Sequence, residues 1–254
     1  MTKKNVLLLF AAVTVSAFLS GCQTRDTAKA ESAPPSDWAI QKTIIKASEN
    51  NGDLATALGV SERAAEADPD NADAKLWKAR LLMKAGRLEQ AEDLLAEIAD
   101  HQDPLLLVEQ GRMALLKNDA AGARESETRA LAQIPDSRDA KTILAVSLDV
   151  LGEHIRAQEI YRSLLANKEE ASVRYNYGRS LALSGDSSRA IETLYSLSER
   201  EDMPQAKMLL AELFIDKKDF ETARRILRRD GMPDADIERV FLASAQVGDG
   251  GKRL

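Results

Sequence analysis

The sequence predicts an all-α protein in which about six pairs of short helices stack into an elongated solenoid. The chain of 254 residues has 30% charged residues but only 13 Gly and 7 Pro, a composition typical of helices. The stretch Arg138–Asn167 contains two short amphipathic segments separated by the turn Gly152-Glu153, and similar stretches recur along the chain. Helices this short bury their apolar stripes only against neighbours, so stacked copies are expected.

Composition also excludes several classes of function. The formal net charge is −6, which makes nucleic acid an unlikely partner for the chain as a whole. The chain has one Cys and two His, too few for an internal disulfide or a structural zinc site. We therefore expect no nucleic-acid binding and no metal or other cofactor.

Residues 1–21 have the organisation of an export signal. Lys3 and Lys4 precede the apolar run Val6–Phe18, whose 13 residues are too few to span a bilayer comfortably. The next residues, Leu19-Ser20-Gly21-Cys22, resemble a bacterial lipobox, and they contain the only cysteine of the chain. The resemblance implies that Cys22 is lipidated and becomes the first residue of the mature protein. An ordinary secretory signal with an incidental cysteine is the alternative.

The residues after Cys22 predict a location and a tether. Gln23 follows the cysteine where inner-membrane lipoproteins of well-studied Gram-negative bacteria have Asp. The resemblance therefore implies a lipid anchor at the periplasmic face of the outer membrane. Residues 22–37 are polar and contain Pro34-Pro35, which predicts a disordered tether.

The helix pairs over residues 38–232 align on two sets of mostly small residues. The first set lies on helix A of each pair: Ile45, Ala79, Gly111, Ala145, Gly178 and Ala211. The second set lies twelve positions later on helix B: Ala57, Ala91, Ala123, Ala157, Ala190 and Ala223. The turns between them are Gly52-Asp53, Gly86-Arg87, Asn118-Asp119, Gly152-Glu153, Gly185-Asp186 and Lys218-Asp219. Gly and Asn tolerate the left-handed backbone that ends a helix.

A helix–turn–helix unit of about 34 residues with this small-residue spacing resembles the tetratricopeptide repeat (TPR). A generic α-solenoid with a different helix pairing is the alternative. The first copy has Ser48 and Ser61, and the third has Ala114 and Glu127, where later copies have large apolar residues, so we expect these two copies to be looser or displaced. Residues 233–247 predict a helix that caps the last repeat, and residues 248–254 predict a flexible tail.

No combination of residues indicates catalysis. His101 lies in a polar turn between repeats, and His154 replaces an apolar residue of other copies. The acidic residues lack metal-binding spacings such as HExxH or an EF-hand loop. We therefore assign no catalytic residue and no metal ligand, and we do not expect an enzyme.

The inner face of a TPR solenoid is lined by helix A, which predicts a peptide-binding groove. Cationic and apolar residues fall at these positions: Lys46, Leu76, Arg80, Met83, Val108, Arg112, Tyr175, Arg179 and Met208. Arg binds carboxylates and Met adapts to varied apolar partners, so the hypothesis is a peptide with apolar and acidic groups. The alternative is that these side chains are solvated or pack between repeats.

A lipoprotein signal, a short tether and about six TPRs resemble the TPR lipoproteins of bacterial pilus and secretion machines. The TadD-like lipoproteins of the tight-adherence (Flp) pilus system are the most similar. The resemblance implies a noncatalytic scaffold whose partners are a secretin or other assembly components. An adaptor for outer-membrane-protein biogenesis, for an envelope protease or for a cell-wall enzyme is the alternative.

Overall fold

The computed structural model describes residues 37–200, 202–229 and 231–247, with side chains described up to residue 243. The described part contains thirteen α-helices and no strand. The helices are α1 Asp37–Asn50, α2 Leu54–Ala67, α3 Ala72–Lys84, α4 Leu88–Ala96, α5 Pro104–Leu116, α6 Ala120–Gln133, α7 Arg138–Val150, α8 His154–Asn167, α9 Ala171–Leu183, α10 Ser187–Tyr195, α11 Pro204–Asp216, α12 Phe220–Arg229 and α13 Asp234–Val247. The predicted signal, the lipidation site Cys22, the tether before residue 37 and the tail 248–254 lie outside the described residues.

The first twelve helices form six antiparallel pairs, and this confirms the predicted solenoid. Each odd-numbered helix (helix A) packs on the even-numbered helix (helix B) that follows it, and each pair packs on the next pair. From α3 to α11, each odd-numbered helix also contacts the next one, which makes a continuous inner layer. None of the described helices has the length and apolar character needed to cross a bilayer.

All twelve residues used to align the repeats are buried. The six alanines on helix B and Ile45, Ala79, Ala145 and Ala211 on helix A are fully inaccessible to solvent. Small side chains at these points let the two helices of a pair approach closely and interlock. The spacing in the sequence therefore gave the correct pairing.

The six turns between helices A and B share one backbone geometry. Their left-handed residues have φ values of 75° at Gly52, 75° at Gly86, 61° at Asn118, 79° at Gly152, 89° at Gly185 and 62° at Lys218. Glycine adopts this conformation without a steric penalty, and asparagine adopts it more readily than most residues. Lys218 is the exception, because its Cβ makes the left-handed conformation unfavourable.

Lys218→Gly is expected to raise the free energy of unfolding by about 1 kcal/mol by removing this backbone strain. The Lys218 side chain is exposed, so little packing is lost. Urea unfolding followed by circular dichroism measures the change. Gly86→Lys is the matched reverse, because a Cβ at this position meets no atom within 4 Å and the backbone there is left-handed. An unchanged midpoint for both variants would contradict the strain argument.

The first and third repeats keep the helix pairing and the left-handed turn of the others, so the prediction that these two copies are displaced is wrong. Helices α5 and α6 have the bounds expected from the register, and Glu127 is fully buried between them. Gly111 faces Glu127 across the pair, and a Cβ at position 111 would collide with the carboxylate. The glycine therefore provides the space that the longer polar side chain needs.

Helix α13 covers the exposed end of the last pair. Ile237 is fully buried among residues of α11 and α12, and Phe241 stacks edge-on against Phe220 with ring centres 5.6 Å apart. The guanidinium carbon of Arg224 lies 5.1 Å from the ring centre of Phe241. The terminal repeat thus buries the apolar face that has no further repeat to cover it.

Candidate functional site

A cleft of about 280 Å³ crosses the inner layer of helices α1, α3, α5 and α7. It is lined by Lys42, Asp73, Leu76, Trp77, Arg80, Leu105, Val108, Glu109, Ser137, Arg138 and Asp139. The lining residues on α3 and α5 are three or four positions apart along the chain. Such intervals place side chains on one face of a helix. The helix-A stack of the first four repeats therefore builds a single concave site.

The cleft has an apolar floor and an apolar rim. Leu76 and Val108 form the floor, where only 4% and 2% of their surfaces are exposed. Leu105 stands at the rim with 48% of its surface exposed. The rim residue is thus available to a partner, whereas the floor residues are mainly part of the core.

Three cations surround one indole ring at the N-terminal end of the cleft. The side-chain nitrogens of Lys42 and Lys46 lie 5.9 and 5.5 Å from the centre of Trp77, and the guanidinium carbon of Arg80 lies 5.2 Å away. Lys42 also pairs with Asp73 at 2.6 Å. Trp38 donates a hydrogen bond from Nε1 to the same Asp73 at 2.9 Å, so both tryptophans of the chain are at this end. Cation–π attraction favours cations at these distances.

Four charged side chains form a cluster between α3, α5 and α7. Arg80 donates from Nε to Glu109 Oε1 at 2.8 Å, and Arg112 donates from Nε to Glu109 Oε2 at 3.0 Å. Asp139 Oδ2 lies 3.0 Å from Nη2 of Arg80 and 3.6 Å from Nη2 of Arg112. Two guanidinium charges are thus matched by two carboxylate charges within the chain.

Burial and charge set the pKa values around this cluster. Burial alone would lower the pKa of Arg80, but the charge and hydrogen bonds of Glu109, with a contribution from Asp139, raise it above its usual value. Burial raises the pKa of the Glu127 carboxyl to about 9, and Arg112 offsets this only in part. Neither carboxyl oxygen of Glu127 has a hydrogen-bond partner. Glu127 is therefore neutral at pH 7.

The structure divides the predicted groove residues into three groups. Leu76, Arg80 and Val108 line the cleft, Arg112 contacts its lining residue Asp139, and exposed Lys46 lies over the lining residue Trp77. Met83 is 4% exposed, packs in the core and does not line the cleft. Tyr175, Arg179 and Met208 lie on α9 and α11, away from it.

The sequence alone did not identify Glu109 and Asp139, the acidic residues of the cluster. Glu109 and Asp139 pair with the two arginines, so neither arginine is a free cation. The only local signal is the spacing of Glu109 and Arg112, three residues apart on one helix face. The pairs from Arg80 to Glu109 and to Asp139 join different repeats, so no local pattern shows them.

A second polar cluster lies between the fourth and fifth repeats. Asp149 is 6% exposed; Ser180 Oγ donates to its Oδ1 at 2.6 Å, and His154 Nδ1 lies 3.0 Å from the same oxygen. Burial, followed by the nearby charge of Asp149, raises the pKa of Tyr161 above its usual range. Because His154 contacts the buried Asp149, we assign it a structural role. The described residues hold no group of three potential metal ligands.

Proteins of known structure share this architecture. A family model described as tetratricopeptide repeat matches residues 50–105. A TPR protein from Parabacteroides merdae aligns over 85% of this chain and 87% of its own, with 16% identity and a TM-score of 0.60. YrrB, described as a TPR protein with an unusual peptide-binding site, aligns over 74% of this chain and 98% of its own, with 18% identity and a TM-score of 0.50. No curated protein matches this chain in sequence.

The fold and the matches define a TPR-type α-solenoid. Solenoids of this kind present extended concave surfaces on which protein partners bind, and they are generally noncatalytic scaffolds. The cleft on α1, α3, α5 and α7 is the candidate contact surface, since it combines an apolar rim with charged groups.

Proposed function

We propose that this protein is a noncatalytic TPR scaffold that binds a protein partner in the cleft. The cleft itself is the observation that carries the proposal. An exposed leucine beside a ring of cations offers both an apolar contact and an electrostatic one, which together fix a peptide in one orientation. YrrB, which has a similar fold, is described as having an unusual peptide-binding site, and this supports peptide binding by a solenoid of this kind.

We further propose that the scaffold assists assembly of a tight-adherence pilus or a related secretion machine at the outer membrane. The support is the sequence around Cys22, which would place the cleft in the periplasm on a lipid anchor. A secretin or another component of the assembly machine is the proposed partner. The alternative partners are outer-membrane-protein assembly factors, an envelope protease or a cell-wall enzyme.

Leu105→Glu tests two claims: that the cleft binds the partner, and that this binding is needed for pilus assembly. The matched control is Leu116→Glu on the same helix, because Leu116 has 47% of its surface exposed and is not a lining residue. In a deletion strain of the source bacterium, complementation with L116E is expected to restore surface pili and secretin multimers. L105E is expected to lose both, together with the co-purified partner, because a charge replaces the apolar contact.

Two outcomes would contradict different parts of the proposal. If L105E restores pili and retains its partners as fully as L116E does, the cleft is not the binding site. If deletion leaves pili intact but disturbs barrel-protein assembly or peptidoglycan, the pilus assignment is wrong and the adaptor role is favoured.

A further inference from the structure

Asp139 occupies a position in the cleft where it shares one oxygen between two arginines. Its Oδ2 lies 3.0 Å from Arg80 Nη2 and 3.6 Å from Arg112 Nη2, while its side chain is 53% exposed. A half-exposed carboxylate in this position is accessible to competition from solvent, because exposed ion pairs contribute little stability. The Nη2 groups of the two arginines therefore form an anion site that the chain fills with its own side chain.

Glu109 differs from Asp139 because its side chain is buried and held in place by hydrogen bonds. The Glu109 side chain is only 3% exposed; its Oε1 accepts hydrogen bonds from both Nε and Nη2 of Arg80, and its Oε2 accepts one from Nε of Arg112. These bonds hold both guanidinium planes from the floor of the cleft. The two arginines are thus oriented without Asp139, and the outer Nη2 groups remain in place when Asp139 leaves.

We propose that the Arg80–Arg112 pair binds a carboxylate of the partner peptide and that Asp139 is an internal competitor for that site. This inference rests on the proposed peptide-binding function and names the chemistry of the partner. The exchange replaces one carboxylate by another, so the balance of two guanidiniums against two carboxylates is kept. An anion without this exchange would leave a third negative charge beside Glu109, which is unfavourable in a partly buried site.

The apolar rim specifies the residue next to that carboxylate. Leu105 lines the same cleft as Asp139 and is half exposed, so an apolar side chain adjacent to the acid would cover it. Arg binds a carboxylate through two parallel donors, and this fixes the direction of the peptide. The partner segment is therefore a peptide with an apolar residue beside Glu, Asp or a C-terminal carboxylate.

Asp139→Asn tests the competition directly, and Asp136→Asn is its matched control. Asp136 precedes the same helix, is fully exposed, and is paired only with Lys141 at 3.8 Å, so it changes the same charge outside the cleft. The probe is the acetylated peptide Ala-Ala-Leu-Glu-Glu, with acetylated Ala-Ala-Leu-Gln-Gln-amide as its neutral counterpart. Binding is followed by calorimetry and by the combined fluorescence of Trp38 and Trp77; the Trp77 ring centre lies 5.2 Å from the Arg80 guanidinium carbon.

D139N is expected to bind the acidic peptide about tenfold more tightly than the wild type, because a neutral side chain competes less well for the guanidiniums. D136N is expected to bind as the wild type does, and the neutral peptide is expected to bind all three proteins equally. Asp139→Ala is a second variant that removes the competing oxygen entirely and is expected to bind at least as tightly as D139N.

Equal or weaker binding of the acidic peptide by both D139N and D139A would overturn the competitor role. Absence of binding to every variant would overturn the carboxylate site, while partner capture through Leu105 could still succeed. Conversely, tight peptide binding by D139N together with intact pili in the deletion strain would sustain the carboxylate site and contradict the assembly role. Failure of the carboxylate site and failure of the assembly role therefore give different experimental results.

Discussion

Glu127→Leu is expected to stabilise the array by about 5 kcal/mol at pH 7. Glu127 is fully inaccessible to solvent, and neither of its carboxyl oxygens has a hydrogen-bond partner. A buried polar group without a partner costs about 1–3 kcal/mol even when it is neutral. Keeping this carboxyl protonated at pH 7 adds a further cost, because its pKa is raised from 4.5 to about 9.

Leucine is the appropriate replacement because other repeats of the chain have a buried leucine at the position equivalent to Glu127. The residues equivalent to Glu127 in the second, fifth and sixth repeats are Leu95, Leu194 and Leu227, all buried. In the fifth repeat Leu194 faces Gly178, and a Cβ there would lie 2.6 Å from Leu194 Cγ. Leucine therefore fills the space opposite a glycine, and Gly111 offers the same space in the third repeat.

The advantage of E127L is expected to grow with pH. The pKa of Glu127 is raised in the folded protein, so between pH 4.5 and about 9 the folded state holds one more proton than the unfolded state. The wild type therefore loses about 1.4 kcal/mol of stability from this group per pH unit in that window. Below pH 4.5 the group is protonated in both states, and only the cost of the unpaired neutral carboxyl remains.

Urea unfolding at pH 5, 6.5 and 8 measures this difference, with Glu125→Leu as the control. Glu125 is exposed on the same helix, so its replacement removes the same charge and is expected to change stability by less than about 0.5 kcal/mol at each pH. Because repeat arrays can unfold in parts, hydrogen exchange of α5 and α6 locates the effect. A constant difference between E127L and wild type across the three pH values would show that the carboxyl is not held neutral by burial.

The sequence was sufficient to predict the helix pairs because the information for them is local. Twelve positions separate Ala145 from Ala157, and one turn at Gly152 lies between them. Helix periodicity, a left-handed turn residue and a small residue at each crossing are all visible within one copy. Copies that depart from the pattern, as at Glu127, were misjudged because compensation by Gly111 depends on which side chains face each other.

The site was harder to predict because its charges are matched between repeats. Helix positions showed that Arg80 and Arg112 lie on the inner face, but not that Glu109 and Asp139 neutralise them. Reversing the charge of both arginines would therefore disturb the fold, because two new carboxylates beside the buried Glu109 would place like charges together in the core.

Glu109→Ala is expected to destabilise the protein by about 3–5 kcal/mol, because it leaves the charges of Arg80 and Arg112 without their buried partner. Asp139 reduces the loss only partly, since it contacts the Nη2 groups alone and is half exposed. The matched control is Glu92→Ala. Glu92 is 54% exposed and pairs with Lys117 at 2.7 Å, so its removal is expected to cost less than about 1 kcal/mol.

The triple variant Arg80→Met, Glu109→Met, Arg112→Met separates stability from function. Replacing a whole buried ion cluster by apolar residues of similar size is often neutral or stabilising, so this variant is expected to recover most of the stability lost in E109A. It lacks both guanidiniums of the proposed carboxylate site, and its binding of the acidic peptide is expected to vanish. A triple variant as unstable as E109A would show that packing at position 109, not charge compensation, holds the first repeats together. Recovery of stability with loss of peptide binding would show that the cluster is retained for recognition, because an apolar core would serve the fold equally well.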